Sequence, residues 1–156
     1  MNIDSRLHEL GLTLPDPPRP AGNYEPWVIC GRWLYISAQV PIQNGQRRYT
    51  GRVGAELSVE EGRAAALLTA LNVLAQIHDA LGSSERLERL VRVEGHVASA
   101  AGGPNTPLVL DAASDLFVAV LGERGRHART AFTPDYLPYN LTIELVVTAY
   151  LHSEHT

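Results

Sequence analysis

Two charged residues near the C-terminus have the side-chain types that hydrolysis of a small acidic substrate requires. Arg129 carries a guanidinium that stays charged and offers a planar fork of donors to a carboxylate or phosphate. Glu144 follows fifteen residues later and carries a carboxylate, which can hold or activate a water molecule. An arginine that binds an anion and a carboxylate that orients water together predict a hydrolytic site.

The setting of Glu144 strengthens this interpretation. It interrupts the apolar run LTI-LVV, and a charged residue in the middle of an apolar strand has to be paired or functional. A structural ion pair with Arg129 or another arginine is the alternative. On its residue type alone, Arg129 is better interpreted as a partner in a salt bridge.

Composition limits the class of protein. The 156 residues are 45% hydrophobic and 19% charged, as in an ordinary globular protein, and predict a single domain over residues 1–156. A net charge of −4 argues against a dedicated nucleic-acid binder. Cys30 is the only cysteine, and the histidines lack ligand spacing, so no disulfide framework and no metal site are expected.

The location of the protein is predicted by looking for a signal peptide and for a membrane span in the sequence. The N-terminal residues lack the apolar region of a signal peptide. The longest strongly apolar stretches fall short of the roughly 20 residues that a membrane span needs. A cytoplasmic protein without a membrane partner is the expectation.

Around the two charged residues, the chain predicts a β-hairpin, a helix, a strand, a second helix and a final strand. Residues 1–22 form a helical piece and a proline-rich extension, and residues 27–42 two β segments around Gly31. Asn44-Gly45 indicates a turn. The last strand is LTIELVVTAYL, and the segment TAFTPDYLPYNLTI between Arg129 and Glu144 is interpreted as a loop.

Both helices have recognisable starts. Ser58 and Glu61 form a capping box, and the helix is expected to run to about Leu81 before Gly82. Thr106-Pro107 predicts a cap and a first-turn proline for the second helix. Apolar residues at helical spacing are expected to face the core: Leu67, Leu71, Leu74, Ile77 and Leu81 in the first helix, and Leu110, Ala113, Leu116, Phe117, Val120 and Leu121 in the second.

The strand between the helices alternates between two sets of side chains. Leu90, Arg92, Glu94 and His96 are expected on one face, against Val91, Val93, Gly95 and Val97 on the other. Helices on one face of a mixed sheet define an α+β sandwich. The other face of the sheet has to be covered as well, which predicts self-association.

The order of these segments, together with one spaced motif, resembles the RidA (YjgF/UK114) family. The motif is an arginine, a proline nine residues later and a glutamate fifteen residues after the arginine, here Arg129, Pro138 and Glu144. The resemblance runs from about Asn23 to Leu151. The longer N-terminal segment GLTLPDPPRPAGNY and the run ASDLFVAVLGERGRHAR resemble a sub-branch whose substrates are less well defined.

The resemblance implies a chorismate-mutase-like α+β fold that assembles as a homotrimer around a barrel, with a ligand cleft at each subunit interface. It implies hydrolysis of a reactive 2-imino or enamine acid to a 2-oxo acid and ammonia, without a cofactor. Arg129 would hold the small carboxylate substrate and Glu144 would position the water. Tyr24 and Ser37, together with Ala131 and Pro138, would line the same cleft.

Several positions depart from the family pattern and put the substrate in question. The family's Ser-Gly-Gln reads Ser37-Ala38-Gln39, and the residue two after the arginine is Ala131. Asp111 stands closest to a position where an asparagine often lines the cleft. A negative charge there, if it faces the cleft, would disfavour a second carboxylate on the ligand. The loop after Arg129 is also more aromatic than usual, with Phe132, Tyr136 and Tyr139.

Two alternatives to a deaminase are open. The same cleft in a non-catalytic module would bind a metabolite anion, with Glu144 as a structural partner. Endoribonuclease-type activity is the other, because Arg47, Arg48 and Arg52 form a basic patch. The acidic total and the absence of clustered aromatic residues beside those arginines argue against it. His127 is interpreted as a solvated loop residue, and His96 as a strand residue with one polar partner.

Overall fold

The computed structural model describes residues 2–153. Within this range lie three α-helices and seven strands, which are named here in chain order. The helices are α1 (Ile3–Glu9), α2 (Val59–Leu81) and α3 (Thr106–Leu121). The strands are β1 (Trp27–Cys30), β2 (Trp33–Gln39), β3 (Ile42–Gln43), β4 (Gln46–Arg47), β5 (Leu87–Val97), β6 (Ala128–Phe132) and β7 (Ile143–Leu151).

Five of the strands form one sheet in the order β1-β2-β7-β5-β6. β5 and β6 are parallel, and the other pairs are antiparallel. α2 packs on β2 and β7, and α3 packs on β5 and β6, so both long helices cover the same face. We call this the helix face and the other the open face. The predicted mixed α+β sheet with helices on one side is confirmed.

The two long helices begin and end close to where the sequence predicts. The capping box of α2 is formed, since Ser58 Oγ accepts from the Glu61 amide at 3.1 Å and Glu61 accepts from the Ser58 amide at 3.2 Å. Gly82 ends α2 with φ of 66°. The cap predicted for α3 is wrong by one residue: Asn105 occupies the N-cap position and makes no side-chain capping bond, while Thr106 is already helical.

The core lies between the helices and the sheet. All six apolar residues predicted for α3 are buried. In α2 the prediction holds for Leu74, Ile77 and Leu81, whereas Leu67 and Leu71 are only partly buried. Small residues such as Ala66 and Ala70 take the central positions instead, because they let the helix approach the sheet closely.

Two features of the sheet correct the sequence interpretation. The segment that follows Arg129 is not all loop: residues 128–132 form β6, an edge strand that contains Arg129. The alternation expected along β5 is broken by a register shift between Leu90 and Arg92. Leu90 therefore lies in the core with Val93, and not on the face that carries Arg92, Glu94 and His96.

The hairpin turn at Asn44-Gly45 is confirmed, with positive φ at both residues, and connects the short strands β3 and β4. α2 is long and apolar enough to cross a membrane by length and composition alone, contrary to the expectation that no stretch reaches that limit. However, 67% of its apolar window is buried inside the protein, as in the core helix of a soluble fold.

Candidate functional site

Strand register decides how Arg129 and Glu144 are placed. Arg129 lies opposite Val93 of β5, and Glu144 lies opposite His96 of the same strand. Because side chains alternate between the two faces, this separation of three residues puts Arg129 on the helix face and Glu144 on the open face. Three residues along and two strands across correspond to ~14 Å between their Cα atoms. Within one chain the two side chains do not share a cleft.

On the helix face, Arg129 is bound by residues of α3. Its Nη1 donates to Asp111 Oδ1 at 2.9 Å and to Ser114 Oγ at 3.1 Å. Its Nη2 makes only a long contact of 3.5 Å with the carbonyl of Pro107. The Arg129 side chain is 24% exposed, and no hydrogen bond from its Nε is found within residues 2–153. Asp111 therefore faces Arg129, and an anionic ligand has to compete with it.

A histidine, His127, contacts Ser114 beside this ion pair. His127 Nδ1 donates to the carbonyl of Gly125 at 2.6 Å, and Nε2 lies 3.0 Å from Ser114 Oγ. Burial lowers the pKa of His127, and the charge of Arg129 lowers it further, against the opposing effect of the bond to Gly125. The neutral ring accepts from the Ser114 hydroxyl. His127 is thus held in the structure, and its interpretation as a solvated loop residue is wrong.

On the open face, Glu144 is bound by His96, which confirms the prediction of a strand residue with one polar partner. Glu144 Oε1 lies 2.7 Å from His96 Nδ1, and the two side chains are 19% and 24% exposed. The His96 ring also contacts Phe132 edge-on, with centroids 5.0 Å apart. The structural ion pair considered for Glu144 was with an arginine, whereas the observed partner is a histidine.

His96 and Phe132 lie at an open pocket of about 570 Å³. Its other lining residues come from β5 and from the segment after β6: Glu94, Thr133, Pro134 and Leu137. The pocket thus combines an apolar wall with one carboxylate and one imidazole. That composition is typical of sites for small ligands, in which a few polar groups fix the orientation.

The remaining predicted site residues lie in two other places. Tyr24 is exposed at the β1–β2 edge of the sheet, where its hydroxyl accepts from the Ala21 amide at 3.3 Å. Ser37 Oγ donates to the Glu25 carbonyl at 2.6 Å on the same edge. Ala131 lies on β6 opposite Gly95, on the face that carries Arg129. The structure therefore separates Tyr24 and Ser37 from Arg129 and Ala131 by the width of the sheet.

Pro138 begins a short turn that shapes the chain between β6 and β7. The two residues after it, Tyr139 and Asn140, have positive φ values of 58° and 54°. The Asn140 carbonyl accepts from the Gly51 amide at 2.8 Å, which fixes the turn on the loop before α2. Pro138 itself lies outside the lining of the pocket beside His96.

The expectation that no aromatic residues cluster beside the basic patch of Arg47, Arg48 and Arg52 is wrong. The Arg47 guanidinium lies 3.5 Å from the centroid of the Tyr139 ring, and that of Arg52 lies 5.5 Å from the centroid of Tyr136. Tyr136 is 67% exposed. Clustered aromatic residues therefore do stand beside the basic patch, although they are distant from it in sequence.

As for metals, no group of three or more histidine, cysteine, aspartate or glutamate side chains within residues 2–153 is arranged to hold an ion. The charged groups of the candidate site are instead paired with one another, Arg129 with Asp111 and Glu144 with His96. This arrangement can bind an anion and move a proton.

Comparison with known proteins places the chain in a family. Residues 4–154 match the family described as YjgF/chorismate mutase-like, putative endoribonuclease. The chain belongs to this family. Protein TCP17 of Trypanosoma cruzi is 38% identical over 144 residues, which cover 92% of this chain and 90% of that protein.

Solved structures fall into two levels of similarity. A putative endoribonuclease from Shewanella oneidensis has a TM-score of 0.93 at 38% identity, covering 97% of this chain and all of its own. A protein of unknown function from Agrobacterium tumefaciens has a TM-score of 0.87 at 40% identity, covering 96% of this chain and 91% of its own. RidA from a Psychrobacter species reaches 0.62 at 25% identity, covering 86% and 94%. The resemblance to the RidA family is thus confirmed.

Proposed function

We propose that this protein hydrolyses a small reactive 2-imino or enamine acid to a 2-oxo acid and ammonia. The observation that carries the proposal is the environment of Glu144. It is a largely buried carboxylate in the middle of an apolar strand, bonded to an imidazole that lines an open pocket. A charge in such a position costs stability, and a role in chemistry at the pocket would account for it.

The carboxylate of the substrate is assigned to Arg129. Since Nη1 is occupied by Asp111 and Ser114 and Nη2 makes only the long contact with Pro107, the Nε and Nη2 donors form the edge of the fork that a ligand can bind. That edge matches a carboxylate in bidentate geometry. An anion held there, with its imine carbon near a water molecule on the Glu144 side, is oriented for attack.

Because Arg129 and Glu144 lie on opposite faces within one chain, we infer that a second copy completes each site. β6 is an edge strand, and the open face exposes Trp33, Tyr35 and Phe132. Both features favour burial against another copy. In this arrangement Arg129 and Ala131 come from one copy, and Glu144 with Tyr24 and Ser37 comes from its neighbour in a homotrimer. A cytoplasmic location belongs to the same proposal.

The test is release of ammonia from freshly generated 2-imino acids, compared with the rate in buffer. Wild type should accelerate it, and Arg129→Ala should lower kcat/KM by about 100- to 1,000-fold, because a charge-assisted bidentate contact is lost and Asp111 is left without its partner. Arg126→Ala is the matched control, since Arg126 is exposed and pairs only with Glu123 within the described chain. No acceleration by wild type over a broad panel contradicts the proposal.

A non-catalytic module that binds a metabolite anion is favoured by one observation, the Asp111–Arg129 ion pair, which already neutralises the arginine. Such a module would be stabilised by small carboxylates through mass action without turning them over. A thermal-shift screen beside the ammonia assay separates the two functions. Stabilisation by a carboxylate, lost in Arg129→Ala, with no turnover of its imine, supports the module.

An RNA-directed activity is the other candidate, supported by the cation–π pairs Arg47–Tyr139 and Arg52–Tyr136. Arginines beside exposed aromatic rings are typical of surfaces for single-stranded nucleic acid. Binding of a short single-stranded RNA should then fall steeply with salt and be lost when Arg47, Arg48 and Arg52 are replaced together. RNA binding that is unchanged by these substitutions, or absent at low salt, excludes this candidate.

A further inference from the structure

His96 is held on the open face by two contacts that fix the position and the plane of its ring. Nδ1 lies 2.7 Å from Glu144 Oε1, and Phe132 contacts the ring edge-on at an interplanar angle of 81°. The strands that carry these three side chains are neighbours, with His96 paired to Glu144 on β7 and to Phe132 on β6. The imidazole is therefore positioned by the sheet itself.

The bond to Glu144 also determines which nitrogen is basic. An ionised carboxylate can only accept a hydrogen bond, so the proton of this bond is carried by Nδ1. In the neutral ring, Nε2 then has the free lone pair. Within residues 2–153, Nε2 has no hydrogen-bond partner, and the ring lines the pocket of about 570 Å³. The basic nitrogen of His96 is thus available to a molecule in that pocket.

Two carboxylates lie close to the ring. Glu144 on β7 bonds it directly, and Glu94, two residues away on β5, lines the same pocket. The next charged group along β5, Arg92, lies 3.5 Å from Glu94 and donates to Thr130 of β6. A carboxylate that bonds one ring nitrogen, while the other faces a substrate, orients the imidazole and stabilises the imidazolium.

We propose that His96 is a catalytic residue whose Nε2 takes the proton of the attacking water, and that Glu144 acts through His96 as a positioning residue. The inference rests on the proposed function and replaces direct contact between Glu144 and the water. It adds to that function a proton carrier that can serve in both halves of the reaction.

The steps balance for an iminium acid and one water molecule. The water oxygen bonds to the imine carbon, the C=N electron pair moves to nitrogen, and a water proton passes to Nε2. The imidazolium returns this proton to the nitrogen of the resulting carbinolamine. The C–N bond breaks with its electron pair leaving on ammonia, and the remaining hydroxyl proton departs with ammonia as ammonium. The products are a 2-oxo acid and ammonium.

The experiment uses wild type, His96→Gln, His96→Asn and the control His152→Gln. A glutamine at position 96 keeps a donor for Glu144 but has no base, and His152 is an exposed histidine 3.8 Å from Glu88. We expect kcat for imino-acid hydrolysis to fall about 100- to 1,000-fold in both His96 variants. The acidic limb of the pH–rate profile should be lost in them and unchanged in His152→Gln. Thermal melting identifies a variant that has not folded, and the other variant then decides.

Nitrogen NMR of the imidazoles gives a readout that does not depend on turnover. His96 should be the Nδ1–H tautomer in wild type, and this preference should weaken in Glu144→Gln. Full activity in His96→Gln, with the acidic limb retained, overturns the role of His96 but leaves the proposed function intact. An Nε2–H tautomer in wild type overturns it as well. Wild type without any turnover overturns the proposed function, and the catalytic role of His96 with it.

Discussion

The two faces of the sheet present charged groups in different surroundings. On the helix face, Arg129 is enclosed by Asp111 and Ser114, with His127 behind them. On the open face, Glu144 and His96 bond only each other within the described chain and border a pocket. Under the proposed function, an anion has to compete with Asp111 for Arg129, whereas a water molecule or an imine would meet the free Nε2 of His96. Binding and proton transfer are assigned to different faces.

Among the substitutions that test the difference between the two faces, Gly95→Ala is expected to have the largest effect, which is a loss of stability. A Cβ at Gly95 would lie 2.3 Å from Leu110 Cδ2, so either the Leu110 side chain would have to turn aside or β5 and α3 would have to move apart. Overpacking of this kind costs about 1–3 kcal/mol, and chemical denaturation should show such a loss. Because α3 carries Asp111 and Ser114, affinity for carboxylates should change while the His96 tautomer is kept. An unchanged stability would mean that Leu110 can turn aside without moving α3.

The open face is tested next by a pair of substitutions. Glu144→Leu leaves the Nδ1–H of His96 without its acceptor and should lower the free energy of unfolding by about 1–3 kcal/mol. The double variant His96→Phe/Glu144→Leu removes both polar groups and should be close to wild type in stability. Urea unfolding at one fixed protein concentration compares them. A double variant that is no more stable than Glu144→Leu would contradict this expectation.

Features of the fold and the site that depend on residues close in sequence could be predicted, whereas features that depend on contacts between distant residues could not. Ser58, Glu61 and Gly82 are local signals, and they placed α2 correctly. β6 was missed because five residues with an arginine and two alanines carry little strand pattern. The bond between His96 and Glu144 joins residues 48 apart and depends on strand register, which no local pattern contains. The motif of Arg129 and Glu144 likewise gave no indication that they lie on opposite faces.

A smaller effect is expected at the ion pair of the helix face. Asp111→Asn removes the charge that competes with a carboxylate at Arg129. Because Asp111 is half exposed, the gain should be modest, about two- to fivefold in Kd for a small 2-oxo acid measured by calorimetry. Asp115→Asn is the control on the same helix, and it should have no effect. Weaker binding in Asp111→Asn would show that Asp111 positions Arg129 more than it competes for it.

The smallest effect is expected from His127→Gln, on the pH dependence of Tm. Its pKa is lowered in the folded protein, first by burial and then by Arg129, from an ordinary value of 6.5. The neutral ring thus favours folding, so its contribution is complete above pH 6.5 and is lost as pH falls through the folded pKa. His127→Gln should therefore reduce the loss of Tm between about pH 7.5 and pH 5. An equal loss in both proteins would contradict this assignment.

The proposed site consists of Arg129 of one copy and Glu144 of its neighbour. It is tested by refolding Arg129→Ala together with Glu144→Gln and confirming mixed oligomers by native mass spectrometry. Each variant alone should be nearly inactive. In a random equal mixture about one quarter of the interfaces hold both intact residues, so about one quarter of wild-type activity should return. Mixed oligomers with no more activity than the two parents would contradict this proposal.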